Sequence, residues 1–437
     1  MNKAPTLERT TFETSRELEF FTDKELKMQI GHESDRWPIA ILKELVDNAL
    51  DACEMAGVAP EIDIRIEENG FSVQDNGPGL PEATILRSMD YLVRVSDKAY
   101  YISPTRGQMG NALKAVWAAG FVANQKGAVE VTTQGNRHVV TVSLDRIAQK
   151  PRMVREVGPD GLVKIGTLIK VHWPDSSRRL LEWDEGDIYN ERNWLANILI
   201  ESYAAFNPHA TFRLNDTVYE RTDPGWQKWK PNEPTSPHWY TPETLRDLIA
   251  AYVAEERRRG PKKAKTVRAF VSEFRGLTAT AKQKEISAGY SGVFLQDMVK
   301  DDDIDPEFVK KLLADMQAAS SPPKPSMLGI IGKEHLTQWL LRYGDAAEKS
   351  IKYTREVSKE GMPHVVEVAF AVRNAEAGRI LRTGMNWAPA LGYDSIPTLN
   401  RLVQEMRMDR HDPVSLVVHL ARPRFEFVDR GKTRVDW

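Results

Sequence analysis

The chain has 437 residues, enough for about three domains at roughly 150 residues each. Its 60 Lys and Arg against 62 Asp and Glu give a formal charge of −2, which argues against nucleic-acid binding by bulk charge yet leaves room for a local basic patch. The single cysteine, Cys53, excludes an intrachain disulfide framework and a cysteine-rich zinc site. No signal-peptide apolar core stands at the N-terminus, and the most apolar run, 365–372, is interrupted by Glu367 and too short to span a bilayer, so a cytoplasmic protein with no membrane contact is expected.

In chain order, the first residues read as an extended arm. A helix follows from Pro38, with Ile41, Leu42, Leu45, Val46, Ala49, Leu50 and Cys53 at helical spacing and Gly57 closing it. EIDIRIEENG then alternates as a strand, Asn69-Gly70 signals a hairpin, and FSVQDNGPGL is a strand entering a glycine turn. GQMGNALKAVWAAG is a glycine loop feeding a helix. VEVTTQ, HVVTVSL and GTLIKVHW read as strands, WLANILIESYAAF as a helix and NPHATFRLND as a strand. This order suggests an α+β sandwich, with the sheet on one side and helices on the other.

Composition shifts near Asp223. DPGWQKWKPNEPTSPHWYTPE is rich in proline and tryptophan and reads as a linker, in which Trp226 and Trp229 could clamp domains together. Residues 241–345 are mostly helical and carry a basic run, Arg257, Arg258, Arg259, Lys262, Lys263, Lys265 and Arg268. SSPPKPSMLG is a further break. Strands return in HVVEVAFAV and SLVVHLARPRFEFV, around a helix TLNRLVQEMRM.

Three stretches carry chemistry. Glu44, Asn48 and Asp51 recur at spacings of four and three, putting a carboxylate, an amide and a second carboxylate on one helix face. Asp75-Asn76-Gly77-Pro78-Gly79 places a carboxylate at the floor of a turn whose glycines let backbone approach a flat ligand, and Asp75 could accept from an exocyclic amine. Gly107-Gln108-Met109-Gly110 enters a helix, where backbone N–H groups and the positive helix end attract phosphates. Each alone has an ordinary structural reading: a solvated helix face, a plain turn, a glycine loop.

Together, in this order, they resemble the Bergerat ATP-binding fold shared by gyrase, histidine kinases and MutL. ELVDNALDA resembles its N box, VQDNGPGL its first glycine box, GQMGNALKA its lid and IGTLIKV its later Gly-Thr motif. No P-loop signature is present. The resemblance implies ATP and Mg²⁺ as cofactors. On it Glu44 corresponds to the general base that activates water against the γ-phosphate, Asn48 to the side chain that helps hold Mg²⁺, and Asp51 to a further residue of the nucleotide site. Asp75 corresponds to the adenine-reading carboxylate, with Gly77 and Gly79 lining the base pocket. Gly107, Gln108, Gly110 and Asn111 correspond to the phosphate-wrapping lid and Thr167 to the supporting threonine. Ala112 stands where the lid usually has another glycine.

Beyond these boxes the chain resembles the B subunit of DNA topoisomerase VI, the type IIB enzyme. SRELEFFTDKELKMQIG is similar to that family's strap, NPHATFRL to its NPHA segment, 231–340 to its helix-two-turn-helix insert and GRILRTGMNWAPAL to its transducer. The architecture so implied is a Bergerat ATPase domain over 1–230, a helical insert over 231–340 and an α/β transducer over 341–437, with Lys432 as the switch lysine reaching the γ-phosphate. The implied function is an ATP-operated homodimeric gate around double-stranded DNA, with cleavage supplied by a separate subunit. Family members continue past the switch lysine into a long helix, whereas this chain stops at Trp437. The alternatives are an ATP-driven clamp in another system, such as genome defence or DNA remodelling, and a protein-binding chaperone. The basic run could touch DNA phosphates through Arg257, Arg258, Arg259, Lys262 and Lys263, or be a solvated loop. Asp301-Asp302-Asp303 reads as a solvated turn entering a helix rather than a metal cluster. Cys53 reads as buried and inert.

Overall fold

The structure, a computed structural model, describes residues 16–92, 100–106, 112–124, 127–148, 150–161, 163, 165–182, 195–260, 264–358, 362–375, 378–391, 405, 408–409, 411–427 and 435–436. The expected lid residues Gly107, Gln108, Gly110 and Asn111, the basic residues Lys262 and Lys263, Lys432 and nearly all of the helix expected around 398–408 lie outside these.

Where an extended arm was expected, α1 (Asp23–Ile30) forms after a 3-10 turn at Arg16–Phe21. Thr22 accepts from the Glu25 amide, Asp23 and Glu25 complement the positive helix end, and Gly31 closes it at φ 80°. The polar composition hid these caps. In α2 (Trp37–Ala56) Pro38 sits in the first turn and Gly57 ends the helix at φ 70°. Fourteen of its twenty residues are buried, so this helix is a central strut rather than a surface element.

Next come β1 (Glu61–Glu67), β2 (Gly70–Gln74), α3 (Glu82–Ser88), α4 (Ala112–Asn124), β3 (Ala128–Thr133), β4 (Asn136–Asp145), β5 (Lys150–Pro159), β6 (Thr167–His172), α5 (Ser176–Leu181), α6 (Ala196–Phe206), β7 (Thr211–Leu214) and β8 (Thr217–Tyr219). The strands make one sheet in the order β5-β4-β3-β6-β2-β1-β7-β8, antiparallel except for β1 beside β7. α2, α4 and α6 pack against it. Sequence patterning missed β5, because KPRMVREVGP has no apolar alternation; ten paired residues against β4 define it at the sheet edge.

The expected linker is instead a packed seam. Trp229, Trp239 and Tyr240 are buried, Trp229 and Trp239 lie 4.6 Å apart by ring centroid, and the Arg275 guanidinium sits 4.8 Å over Trp229. Its prolines keep it from longer regular elements, a 3-10 turn at Pro237–Trp239 aside, while its large rings still bury area and clamp neighbouring elements. The helical stretch follows as α7 (Pro242–Arg259), α8 (Val267–Val271), α9 (Thr280–Ile286), a short hairpin of β9 (Val299–Lys300) and β10 (Asp303–Ile304), α10 (Pro306–Ala318) and α11 (Lys333–Tyr343). Asp301 and Asp302 are the two left-handed residues of that hairpin turn, at φ 48° and 64°. Asp305 caps α10 through the Glu307 amide. No metal-ligating cluster exists among the described residues.

A second sheet holds β11 (Lys352–Ser358), β12 (His364–Val372), β13 (Ile380–Met385), β14 (Ala388–Pro389) and β15 (Val414–Ala421), in the order β11-β12-β15-β13-β14 with β13 parallel to β15. One face sends Val365, Ala369, Ala371, Val417 and Ala421 into a core continuous with that of the first sheet. The other gathers Leu381, Met385, Leu416, Val418 and Leu420 into a smaller cluster. No helix among the described residues is long and apolar enough to cross a membrane.

Candidate functional site

From Trp37 to Glu54, the one exposed residue of α2 is Asn48, and Glu44 beside it is half-buried. Neither side chain makes a hydrogen bond or ion pair among the described residues. A helix otherwise wrapped in apolar packing therefore opens a window at these two side chains. The neighbouring face is closed by a Lys43–Asp47 pair at 2.7 Å, with the Tyr203 hydroxyl donating to Asp47 at 2.7 Å. Asp51 differs from expectation. It lies on the same helical face, but Arg106 covers it at 2.8 Å, so it is buried and neutralised rather than open to a ligand.

At the end of β2, Asp75 is 7 % exposed. Its Oδ1 accepts from the Gly77 amide at 2.8 Å and the Thr167 amide at 3.3 Å, while its own amide donates to Thr167 O at 3.0 Å. Oδ2 has no partner among the described residues and remains available as an acceptor. Burial raises the Asp75 carboxyl to about 6, against which the two amides act only in part. Above pH 6 the ionised, buried carboxylate costs the fold about 3 kcal/mol relative to an ordinary aspartate. That cost leaves the second oxygen poised for a donor.

Glycine spacing follows from contact. A Cβ on Gly77 would stand 2.9 Å from Asp75 Oδ1 and 3.4 Å from the Cys53 amide, and Gly79 at φ 89° lies against Thr133 Oγ1. Gly166, at φ 88°, is the most constrained: a Cβ there would fall 1.8 Å from Asp75 O. Gly166 and Thr133, whose Oγ1 accepts from the Leu80 amide at 2.8 Å, complete the cradle and are not among the residues that sequence reasoning picks out. Gly166 had a signal in the Gly-Thr pair preceding β6; Thr133 had none. Asn76 is structural, accepting from the Glu61 amide and the Cys53 thiol and donating to Ala59 O. Cys53 is buried as expected, and burial pushes its thiol up to about 12, so it is unreactive.

Behind the window lies a charge network for which the sequence carried no signal. Arg106 pairs with Asp51 and through two 2.7 Å bonds with Glu54, and it also donates to Asn207 Oδ1. Glu54 further holds Lys228 at 2.7 Å and His209 at 3.0 Å. Burial alone would raise the Glu54 carboxyl, but Arg106 and Lys228 hold it well below the usual range. Burial lowers Lys228 to about 8 and also lowers His209, leaving that ring neutral near pH 7. Two cations thus face two carboxylates. The basic run is elsewhere, at the exposed end of α7: Arg258 and Arg259 both pair with Glu255, and Lys265 pairs with Glu273.

Residues 34–148 match the family described as histidine kinase-, DNA gyrase B-, and HSP90-like ATPase. The B subunit of type 2 DNA topoisomerase 6 from Archaeoglobus fulgidus is 26% identical over 91% of this chain and 66% of its own length. Its counterpart from Methanosarcina barkeri is 30% identical over 46% of this chain and 32% of its own length. The chain therefore spans less than two thirds of either relative. Among solved structures, the ATPase region of Saccharomyces cerevisiae topoisomerase II aligns with 91% of this chain and 76% of its own at 12% identity and a TM-score of 0.39. The Asp75 cradle and the α2 window lie within or adjoin the matched span. The chain carries a gyrase-, histidine-kinase- and HSP90-like ATPase domain over 34–148 and is similar along most of its length to a topoisomerase VI B subunit.

Proposed function

We propose that this chain is the ATP-operated part of a dimerising gate that captures a DNA duplex, with cleavage supplied by a separate subunit. The observation that carries the nucleotide reading is the Asp75 cradle, where the Oδ2 of a buried carboxylate has no partner among the described residues and lies between glycines that leave no room for side chains. This fits an adenine, whose exocyclic amine would donate to Asp75 while Gly77 and Gly79 face the ring and Thr167 holds the carboxylate in place. Asn48 is the exposed amide suited to hydrated Mg²⁺, and Glu44 is the base that takes a proton from attacking water. Bound ATP supplies the γ-phosphoryl group on which that water acts. Gly107, Gln108, Gly110, Asn111 and Lys432 keep their proposed phosphate roles by resemblance alone. We assign the three-part division at 230 and 340 on the same basis.

Nucleotide affinity has a defined pH dependence. The carboxyl of the apo protein protonates near pH 6, and a protonated acid no longer offers the amine a charged acceptor. Affinity for a non-hydrolysable ATP analogue should thus weaken as pH falls from 7.5 to 5, approaching about tenfold per unit below 6. Calorimetry giving equal or tighter binding at pH 5 would remove Asp75 from this role.

The gate reading is tested by light scattering. Saturating analogue and Mg²⁺ should convert monomer to dimer, and an unchanged mass under confirmed saturation rejects the gate. Reversing Arg257, Arg258 and Arg259 to glutamate should weaken duplex binding and flatten its salt dependence by about three units of slope at most. Because Glu255 already pairs two of these arginines, the effect should be nearer one unit. Unaltered DNA affinity would make the patch a solvated helix end. A clamp in a different system remains the second reading, and recovery of a DNA-cleaving partner with the full chain separates the two.

A further inference from the structure

Two consecutive residues between β13 and β14, Asn386 and Trp387, adopt the left-handed conformation at φ 46° and 66°. The pair is the two-residue turn of the β13–β14 hairpin, which takes this conformation and suits asparagine; a fully buried tryptophan seldom fills such a turn, and does so only where its surroundings over-determine it. Here they do. Gly384 brings this hairpin so close to Phe206 of α6 that a Cβ would sit 2.6 Å from its ring. Lys228 lies 4.3 Å over the indole, and Gly329 approaches its far edge.

The turn connects in both directions. Trp387 O accepts from Asn207 Nδ2 at 2.9 Å, and Asn207 Oδ1 accepts from Arg106, which grips Asp51 and Glu54 of α2. The Trp387 amide donates to His419 Nε2 on β15 at 3.2 Å. Asn386 Nδ2 donates to Arg422 O at 2.9 Å, and its Oδ1 accepts from the Arg422 amide at 2.9 Å. Asn386 Nδ2 also donates to Thr105 O at 3.4 Å, beside Arg106. The helix that presents Glu44 and Asn48 is thus joined through its own next turns to the C-terminal sheet.

We propose that Asn207 and the Asn386–Trp387 turn form a relay that carries nucleotide occupancy at α2 to the second sheet, with Arg106 as its positioning residue. This rests on the nucleotide reading of the α2 window. Low-dielectric burial makes the link stiff, because Arg106 cannot leave without breaking a 2.8 Å ion pair to Asp51 and taking one of two cations from the buried Glu54. A displacement of α2 on filling the site is therefore passed to Asn207 and the hairpin rather than absorbed. Asn207 is the place to cut the relay, since its removal leaves the Arg106 ion pairs intact.

Hydrogen exchange of the full chain, with and without a saturating non-hydrolysable ATP analogue and Mg²⁺, tests this. In the unaltered protein amides of 383–388 should change exchange rate by about fivefold or more on analogue binding, the lower end of ordinary coupling. Asn207→Ala should bind the analogue within about threefold yet lose the hairpin response. Should that variant unfold, Asn207→Ser, too short to bridge Arg106 and Trp387 O, gives the same reading. Analogue binding without a hairpin response in the unaltered chain overturns the relay alone, as does a full response in a folded Asn207 variant. Failure of the unaltered chain to bind analogue overturns the nucleotide reading and the relay with it.

Discussion

Replacing Glu44 by alanine should leave analogue binding within about threefold but lower ATP turnover by ~100-fold or more, the contribution expected of a positioned general base. The separation of the two readouts follows from its surroundings. Glu44 is half-buried at the α2 window and makes no hydrogen bond or ion pair among the described residues, so its removal strands no partner and opens no core cavity. A loss of ~100-fold corresponds to about 2.7 kcal/mol of transition-state stabilisation. Glu44→Gln, which keeps shape and loses basicity, should fall as far as alanine; undiminished turnover in either variant would assign the base elsewhere. Steady-state hydrolysis together with analogue calorimetry decides it.

Arg106→Met should be the most damaging single change to stability. It removes an ion pair from Asp51 and one of two cations from Glu54, and both carboxylates are buried. Breaking a buried pair from one side costs about 3–5 kcal/mol, more than deletion of most core methylenes. Lys228 can neutralise only part of the deficit, because it already sits 2.7 Å from Glu54. Arg106→Lys should fall between the two, since one ammonium cannot span Glu54, Asp51 and Asn207 as the guanidinium fork does. The measure is the urea midpoint of the unliganded chain, compared at pH 7. A midpoint unchanged by Arg106→Met would make the network energetically neutral and leave the relay without its stiff member.

Much of the candidate nucleotide site was legible in the residues alone. Local chemistry wrote it: helical spacing placed Glu44 and Asn48 together, the Asn69-Gly70 hairpin ended β1, and Asp75 with Gly77 and Gly79 marked a turn that needs close approach. These signals act within a few residues, so they survive in one dimension. The caps of α1 were equally local but were masked by polar composition. β5 had no local signal, since an edge strand is defined by the partner that supplies its hydrogen bonds.

By itself, then, the sequence determined an α+β chain with a nucleotide-site pattern at its N-terminal end, a helical stretch and a closing sheet. Only the tertiary structure decided which polar residues are left open and which face each other. Asp51 shares a helical face with Glu44, yet a segment 55 residues away covers it with Arg106. The proline- and tryptophan-rich stretch became a buried seam because Lys228 and Trp229 found partners far along the chain. Trp387 reads in sequence as one aromatic among several; a two-residue hairpin turn gives it a left-handed backbone, and Asn207, His419 and Lys228 close around it. Periodicity is a property of neighbours in the chain. The neutralisation of a buried charge is a property of neighbours in space, and no spacing rule specifies which residue will supply it.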